Sequence, residues 1–70
     1  MSQSELILDY LKRGNTLTGL EALNLFGTMK LSTRVSELRQ EGHEILHQMV
    51  RRNNKWVAKY FIIPEGASHG

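Results

Sequence analysis

Cysteine is absent from the 70-residue sequence, and proline occurs only once. Without cysteine there is no disulfide framework, no thiolate metal site and no cysteine nucleophile. Aromatic residues make up only 7% of the chain, and no apolar run approaches the roughly 20 residues that a membrane-spanning helix needs. We therefore expect an intracellular protein without a membrane segment, built mainly around aliphatic side chains.

The size and the hydrophobic content predict one small domain. Hydrophobic residues account for 40% of the chain, which is enough for a folded core and too much for a disordered segment. We predict a single domain over residues 1–64 and a flexible C-terminal tail over residues 65–70. Most multi-substrate enzymes need a longer chain to build a cleft, so we expect a binding module.

Two capping boxes, Ser2 with Glu5 and Thr18 with Glu21, mark the starts of two helices. In this motif each side chain satisfies a backbone amide of the other residue. Glycines follow both segments and are typical helix ends. The predicted bounds are residues 3–13 and 19–26. The predicted buried residues of the second helix are Leu20, Leu23, Leu25 and Phe26.

A third helix is predicted to follow Thr28, which we expect to cap it, and to continue to about Glu41. Leu31, Val35 and Leu38 fall at i, i+4 and i+7 and form one narrow apolar stripe. The rest of this helix is polar. Two short helices joined by a glycine turn, the second of them half polar, are typical of a helix-turn-helix.

The sequence pattern changes period after the third helix. Residues 43–50 and 55–63 are rich in β-branched and aromatic side chains, and Asn53-Asn54 lies between them. Because asparagine tolerates a positive φ, this pair suits a two-residue hairpin turn. The predicted fold is α+β, mainly α. It is a winged helix-turn-helix, with three helices followed by a two-stranded β-hairpin wing.

The polar surface of the third helix is a candidate for contact with DNA. A helix of this size fits the roughly 12 Å wide major groove, where outward side chains reach base edges. The alternative interpretation is a solvated helix face without a ligand. The candidate residues are Thr28, Lys30, Thr33, Arg34, Ser36, Glu37 and Gln40.

Positive charge is concentrated in the hairpin. Seven of the nine Lys and Arg residues lie in residues 29–70, and four of them lie from Arg51 to Lys59 with no acidic residue between. Cations at a loop tip suit phosphates or a narrow minor groove, although they also protect sheet edges. The candidate DNA contacts at the tip are Arg51, Arg52, Asn53, Asn54 and Lys55.

The hairpin has apolar residues on both faces, which is more than one small domain is expected to cover. Exposed apolar patches of small proteins usually mark a contact. Either the helices cover more than expected, or a homodimer or a host or phage protein docks on one face. The candidate dimer contacts are Leu46, Val50, Val57 and Phe61.

Motifs for catalysis or metal binding are missing. His43, His47 and His69 have no carboxylate at a recognised metal-ligand spacing. The glycines mark helix ends and form no phosphate-binding loop. We therefore predict a non-enzymatic protein with no metal and no cofactor.

Several short motifs carry a family resemblance. They are Leu20-Glu21-Ala22-Leu23, Phe26-Gly27, Arg34-Val35-x-x-Leu38-Arg39-x-x-Gly42-x-x-Ile45 and Ala58-Lys59-Tyr60. Together they resemble small winged helix-turn-helix domains common in bacteriophages and prophages, over most of residues 3–63. The resemblance implies DNA binding in the cytoplasm of a bacterial host. The chain departs from the family pattern at Ser32-Thr33, where alanine often precedes the arginine.

Three hypotheses follow for function. The first is sequence-specific binding of double-stranded DNA by a transcriptional regulator. The second is an excisionase-like architectural factor that bends DNA. The third, from a different class, is a protein–protein interaction module that docks through the hairpin.

Overall fold

The computed structural model describes residues 2–63. Three helices and a small antiparallel sheet confirm the predicted winged helix-turn-helix. The predicted tail over residues 65–70 lies outside the described residues. The elements are α1 (Gln3–Lys12), β1 (Leu17–Thr18), α2 (Gly19–Phe26), α3 (Leu31–Gln40), β2 (Leu46–Arg52) and β3 (Lys55–Phe61).

Both predicted capping boxes form. The Ser2 hydroxyl accepts from the Glu5 amide at 3.1 Å, and the Glu5 carboxylate accepts from the Ser2 amide at 2.8 Å. Thr18 and Glu21 make the same pair of bonds, at 3.3 and 2.9 Å. Hydrogen bonds from the Ser2 amide and then the Ser2 hydroxyl stabilise the carboxylate of Glu5, so they lower its pKa from the ordinary value of 4.5.

The core lies where the three helices meet the inner face of the sheet. The stripe on α3 is buried as predicted and faces residues of α1, of β1 and of the segment before β2. Tyr10 and Phe26 close one side of the core with their rings edge to face, 5.5 Å apart. The buried core residues are Ile7, Leu11, Leu17, Ala22, Leu31, Val35, Leu38 and Ile45.

The prediction that the leucines of α2 are buried is wrong. Leu20 is 65% exposed and Leu25 is 55% exposed, and Leu23 is also exposed. The buried residue of this helix is Ala22, and Phe26, one turn later, packs against the core. Ala22 and Phe26 are four residues apart and so lie on the same side of α2, which packs on the core.

The start of α3 also differs from the prediction. The helix begins at Leu31, and its N-cap residue, Lys30, makes no side-chain capping bond. The Thr28 hydroxyl instead accepts from the Lys30 amide at 3.0 Å, within the turn that precedes the helix. The Thr28 side chain is 5% exposed. Thr28 is therefore part of the turn between helices, and its predicted role as a helix cap is wrong.

The hairpin has the predicted register. Leu46 pairs with Phe61 and Val50 pairs with Val57. The turn is formed by Asn53 and Asn54, with φ of 51° and 63°, as the side-chain preferences of asparagine indicated.

A third strand was not predicted. β1 pairs antiparallel with β3, with Leu17 opposite Tyr60 and Thr18 opposite Lys59. The strand order is β1-β3-β2. A two-residue strand is too short to show an alternating pattern, so the sequence contained no signal for it.

Candidate nucleic-acid interface

One face of α3 is free to meet a ligand. Thr33, Ser36 and Gln40 are all exposed, and the helical repeat places them opposite the buried stripe. All three side chains are uncharged and those of Thr33 and Ser36 are short, so a ligand can approach this side of the helix closely. We call these three residues the outward face of α3.

The N-terminal end of α3 adds positive potential to this face. Lys30 is exposed and no side chain caps the helix start. The first-turn amides of Leu31 and Ser32 point out of the helix, and the helix dipole favours negative charge there.

Arg34 and Glu37, both predicted DNA contacts, are paired with each other. Arg34 Nη1 donates to Glu37 Oε1 at 2.8 Å, and the Ser4 hydroxyl donates to the same oxygen at 3.3 Å. Both residues are only partly exposed. They form a bridge between α1 and α3 in which the two charges compensate each other.

The hairpin turn and its flanking residues form a cationic tip. Residues 51–55, which we call the wing tip, are all exposed. Arg52 lies opposite Lys55 in the register, and Arg51 lies next to them. In the part of the chain that the structure describes, the two ion pairs involve Asp9 with Arg13 and Arg34 with Glu37. The wing tip therefore keeps three uncompensated positive charges.

A single arginine joins α3 to the base of the hairpin. Arg39 Nε and Nη2 donate to the Ile45 carbonyl oxygen at 2.9 and 2.6 Å. Nη2 also lies 3.3 Å from Nδ1 of His47, and the guanidinium carbon lies 5.9 Å from the centre of the Tyr60 ring. These contacts hold the hairpin at a defined angle to α3.

A family model described as a winged helix-turn-helix domain matches residues 2–65. The chain belongs to the winged helix-turn-helix family. Domains of this family are typically non-enzymatic DNA-binding modules. No curated protein and no solved structure showed significant similarity to the chain.

The helices and strands of this chain correspond to the named parts of a winged helix-turn-helix. In a winged helix-turn-helix, α2 and α3 form the helix-turn-helix, α3 is the recognition helix, and the β2–β3 hairpin is the wing. The outward face of α3 and the wing tip are exposed surfaces of the recognition helix and of the wing. Thr33, Ser36 and Gln40 lie on the first, Lys30 lies at the start of the same helix, and residues 51–55 form the second.

Two residues that adjoin these surfaces of the winged helix-turn-helix are not among the sequence-predicted candidates. Ser32 is exposed beside the outward face, on the side of α3 that lines a groove together with Arg52 and Lys55. Arg39 contacts the base of the wing and was not among the predicted site residues. Its place directly after Leu38, the last residue of the buried stripe, could have indicated this contact. An arginine there lies beside the buried side of the helix, close to whatever packs next to it.

Within residues 2–63, no three His, Cys, Asp or Glu side chains lie close enough together to hold a metal ion. No helix of that same part of the chain is long and apolar enough to cross a membrane.

Proposed function

We propose that this protein binds double-stranded DNA sequence-specifically and acts as a phage-type transcriptional regulator. The observation that carries the proposal is the outward face of α3, which is polar and exposed on a helix whose opposite side is buried. The family supports it, because its members typically bind DNA. In a bacterial host this activity belongs to the cytoplasm, where the DNA is.

Base recognition is assigned to Thr33, Ser36 and Gln40. A glutamine can bind the N6 and N7 edge of adenine with two hydrogen bonds, and hydroxyls donate to or accept from several base edges. All three residues lie on the one side of α3 that can enter the major groove. Lys30, at the start of the helix, is placed to pair with a phosphate at the edge of that groove.

Backbone contact is assigned to the wing tip. Arg51, Arg52 and Lys55 carry no compensating acidic partner among the described residues. Cations that pair with phosphates release counterions, which makes the affinity depend on salt and not on sequence. Asn53 and Asn54 form the turn between these cations, and their amides are within reach of a phosphate or a minor-groove edge. The wing tip therefore adds affinity, and α3 adds specificity.

Arg34 and Glu37 have a different part in this proposal. Their mutual ion pair and the bond from Ser4 set the position of α3 against α1. We assign both to support of the recognition helix, and we leave the buried Thr28 out of the interface.

We also infer that two copies associate through one face of the wing. The residues of this face are half-buried, and the register places them on the same side of the hairpin. Among residues 2–63, the core cluster and the residues packed against it do not include them. A two-fold dimer would present two copies of α3 to two half-sites. We call this the outer sheet face, formed by Leu46, Val50, Val57 and Phe61.

The experiment that tests DNA binding is selection from a random duplex library followed by gel shift. The wild type is expected to enrich one motif. A variant with Thr33→Ala, Ser36→Ala and Gln40→Ala is expected to lose that preference, because each good base contact contributes about 1–3 kcal/mol of discrimination. The same variant is expected to keep its affinity for unrelated duplexes. Lys12→Ala, an exposed change on α1, is the control and should select the same motif as wild type.

Two results would contradict the proposal. One is the absence of any enriched motif together with no gel shift at low salt. The other is a triple variant that selects the wild-type motif with unchanged affinity. A circular-permutation gel with the selected site then distinguishes a regulator that leaves the duplex straight from an excisionase-like factor that bends it.

A further inference from the structure

A groove of about 710 Å³ separates α2 from the wing. Its walls are the first turn of α2, the start of α3 and the side of β3, and the wing tip closes one end. This volume is within the roughly 300–1,000 Å³ that is usual for binding clefts. The side chains that matter for its chemistry are Leu20, Glu21, Met29, Arg52, Lys55 and Ala58.

The wall formed by β3 is an unpaired strand edge. On this side β3 pairs with β1 only at Tyr60 and Lys59. Within residues 2–63, no strand pairs with residues 55–58 on that side. β1 stops there because Thr18 caps α2 and the chain turns into the helix. Four residues of β3 are therefore left with one free edge facing the groove.

The hairpin geometry indicates which backbone groups face that edge. In a two-residue hairpin the residues that flank the turn, here Arg52 and Lys55, form a hydrogen-bonded pair. Alternate residues of an antiparallel strand direct their N–H and C=O groups to opposite sides. Lys55 and Val57 therefore bond to β2, and Trp56 and Ala58 direct their backbone groups away from β2, towards the groove.

The side chains around this edge are apolar along the groove and cationic at its end. Leu20 and Met29 are exposed without a covering group from the described residues. Arg52 and Lys55 lie at the wing-tip end. Glu21 is the acidic residue of the lining, at the α2 wall, and its Oε1 accepts from the Thr18 amide at 2.9 Å. The lining therefore carries two positive charges against one negative charge, and both positive charges lie at the wing-tip end.

We propose that this groove binds an extended, acidic-ended peptide segment of a protein partner, which adds to β3 as a strand in line with β1. Main-chain bonds to Trp56 and Ala58 provide the docking, in the manner of strand addition at a free sheet edge. Because β1 runs antiparallel to β3 and towards the wing tip, the peptide in its place has its C-terminal end at Arg52 and Lys55. Carboxylates at that end complement the two cations.

The same geometry sets the side-chain pattern of the peptide. Residues opposite Ala58 and Trp56 point to the side of the sheet on which Ala58 lies, where Leu20 and Met29 provide apolar surface. The residue between them points to the other side, next to Val57. The expected motif is apolar, any residue, apolar, acidic, acidic.

This inference stands apart from DNA binding, because it depends on the β3 edge and on Leu20. Arg52 and Lys55 belong both to this groove and to the wing tip. If both activities are present, peptide and DNA compete for the two cations. The peptide experiment is done without DNA, so its result is independent of whether the protein binds a duplex.

The test is a titration of the ¹⁵N-labelled protein with the blocked peptide acetyl-Ile-Thr-Ile-Glu-Glu-amide, followed by NMR. Saturable shifts are expected at the amides of Trp56 and Ala58, with slower hydrogen exchange of both. Acetyl-Ile-Thr-Ile-Lys-Lys-amide should bind at least about 10-fold more weakly, because it places like charges at the wing tip.

A matched pair of variants completes the test. Leu20→Glu places a charge on the apolar wall and should weaken binding at least about 10-fold, since a charge cannot be buried there unpaired. Leu25→Glu changes another exposed leucine of the same helix, outside the groove, and this variant should bind as wild type does. Circular dichroism checks that both remain folded. Absence of saturable binding at millimolar peptide, shifts confined to the outer sheet face, or equal binding by the two variants would each overturn the proposal.

Discussion

The guanidinium of Arg39 donates two hydrogen bonds to one acceptor, the carbonyl oxygen of Ile45, at 2.9 Å from Nε and 2.6 Å from Nη2. Ile45 is itself buried and is the last core residue before β2. One side chain of the recognition helix therefore determines where the wing begins. The distance between the outward face of α3 and the wing tip depends on this contact.

Replacement of Arg39 by lysine tests that relationship. Lysine keeps the charge but cannot present two fixed donors to one oxygen. We expect Arg39→Lys to lower the free energy of unfolding by about 1–2 kcal/mol, measured by urea denaturation, and to weaken DNA binding through misplacement of the wing. Arg51→Lys, the same exchange at the exposed wing tip, should change stability by no more than about 0.5 kcal/mol. Equal effects of the two exchanges would contradict the role assigned to Arg39.

The wing tip is tested by its effect on salt dependence. Replacement of Arg51, Arg52 and Lys55 together by alanine should weaken binding to all duplexes alike. The slope of log affinity against log salt concentration should fall by about 1 for each lost phosphate contact. The measurement is fluorescence anisotropy on one duplex from low to physiological salt. The double variant Lys12→Ala with Arg13→Ala, which removes two cations at the C-terminal end of α1, is the control. A slope that stays at the wild-type value in the wing variant would remove the wing from the interface.

Association through the outer sheet face is tested by sedimentation. Phe61 pairs with Leu46 on that face and is half-buried. Phe61→Glu places a charge in the proposed contact, so the variant should be monomeric and folded at concentrations where the wild type is dimeric. Leu25→Glu, on α2, should leave the dimer unchanged. A wild type that is already monomeric at high concentration in the analytical ultracentrifuge would exclude the dimer.

The capping box of α1 makes a pH prediction. Hydrogen bonds from the Ser2 amide and hydroxyl hold the pKa of Glu5 below its ordinary value of 4.5. The folded state thus favours the charged carboxylate of Glu5. Its contribution to the stability of the fold is fully present above the pKa that Glu5 has in the unfolded chain, and it is lost as the pH falls through the lower pKa of the folded state. Thermal unfolding of Glu5→Gln should show a smaller loss of stability below pH 4.5 than wild type. A Glu5→Gln curve parallel to wild type would contradict the assignment.

Local signals predicted the parts of the fold that depend on near neighbours in the chain. The capping boxes, the stripe of Leu31, Val35 and Leu38, and the asparagine turn each need only residues within a few positions of one another. For that reason the bounds of α2 and the hairpin register matched the sequence interpretation. The polar residues of the outward face followed directly, since they are the ones opposite the stripe.

The exposure of the α2 leucines, the third strand and the contact of Ser4 with Glu37 depend on which segments distant in the sequence pack together. Leucine is usually buried, but none of the described segments covers the sides of α2 on which Leu20 and Leu25 lie. Arginine commonly contacts DNA, but the guanidinium of Arg34 pairs with the carboxylate of Glu37. The hydroxyl of Ser4, from α1, donates to the same carboxylate oxygen. A residue type indicates what a side chain can do, and its neighbours in space determine which of these options it takes.

The sequence by itself determined three helices, a two-residue hairpin turn and the polar character of one face of α3, because caps, helical periodicity and turn preferences act over one or two turns of chain. Only the tertiary structure decided that β1 joins the sheet and leaves the rest of the β3 edge open, that the leucines of α2 are exposed, and that Thr28 is buried. These outcomes depend on which segments pack together, and the free energy of packing comes from contacts that no short window of sequence contains.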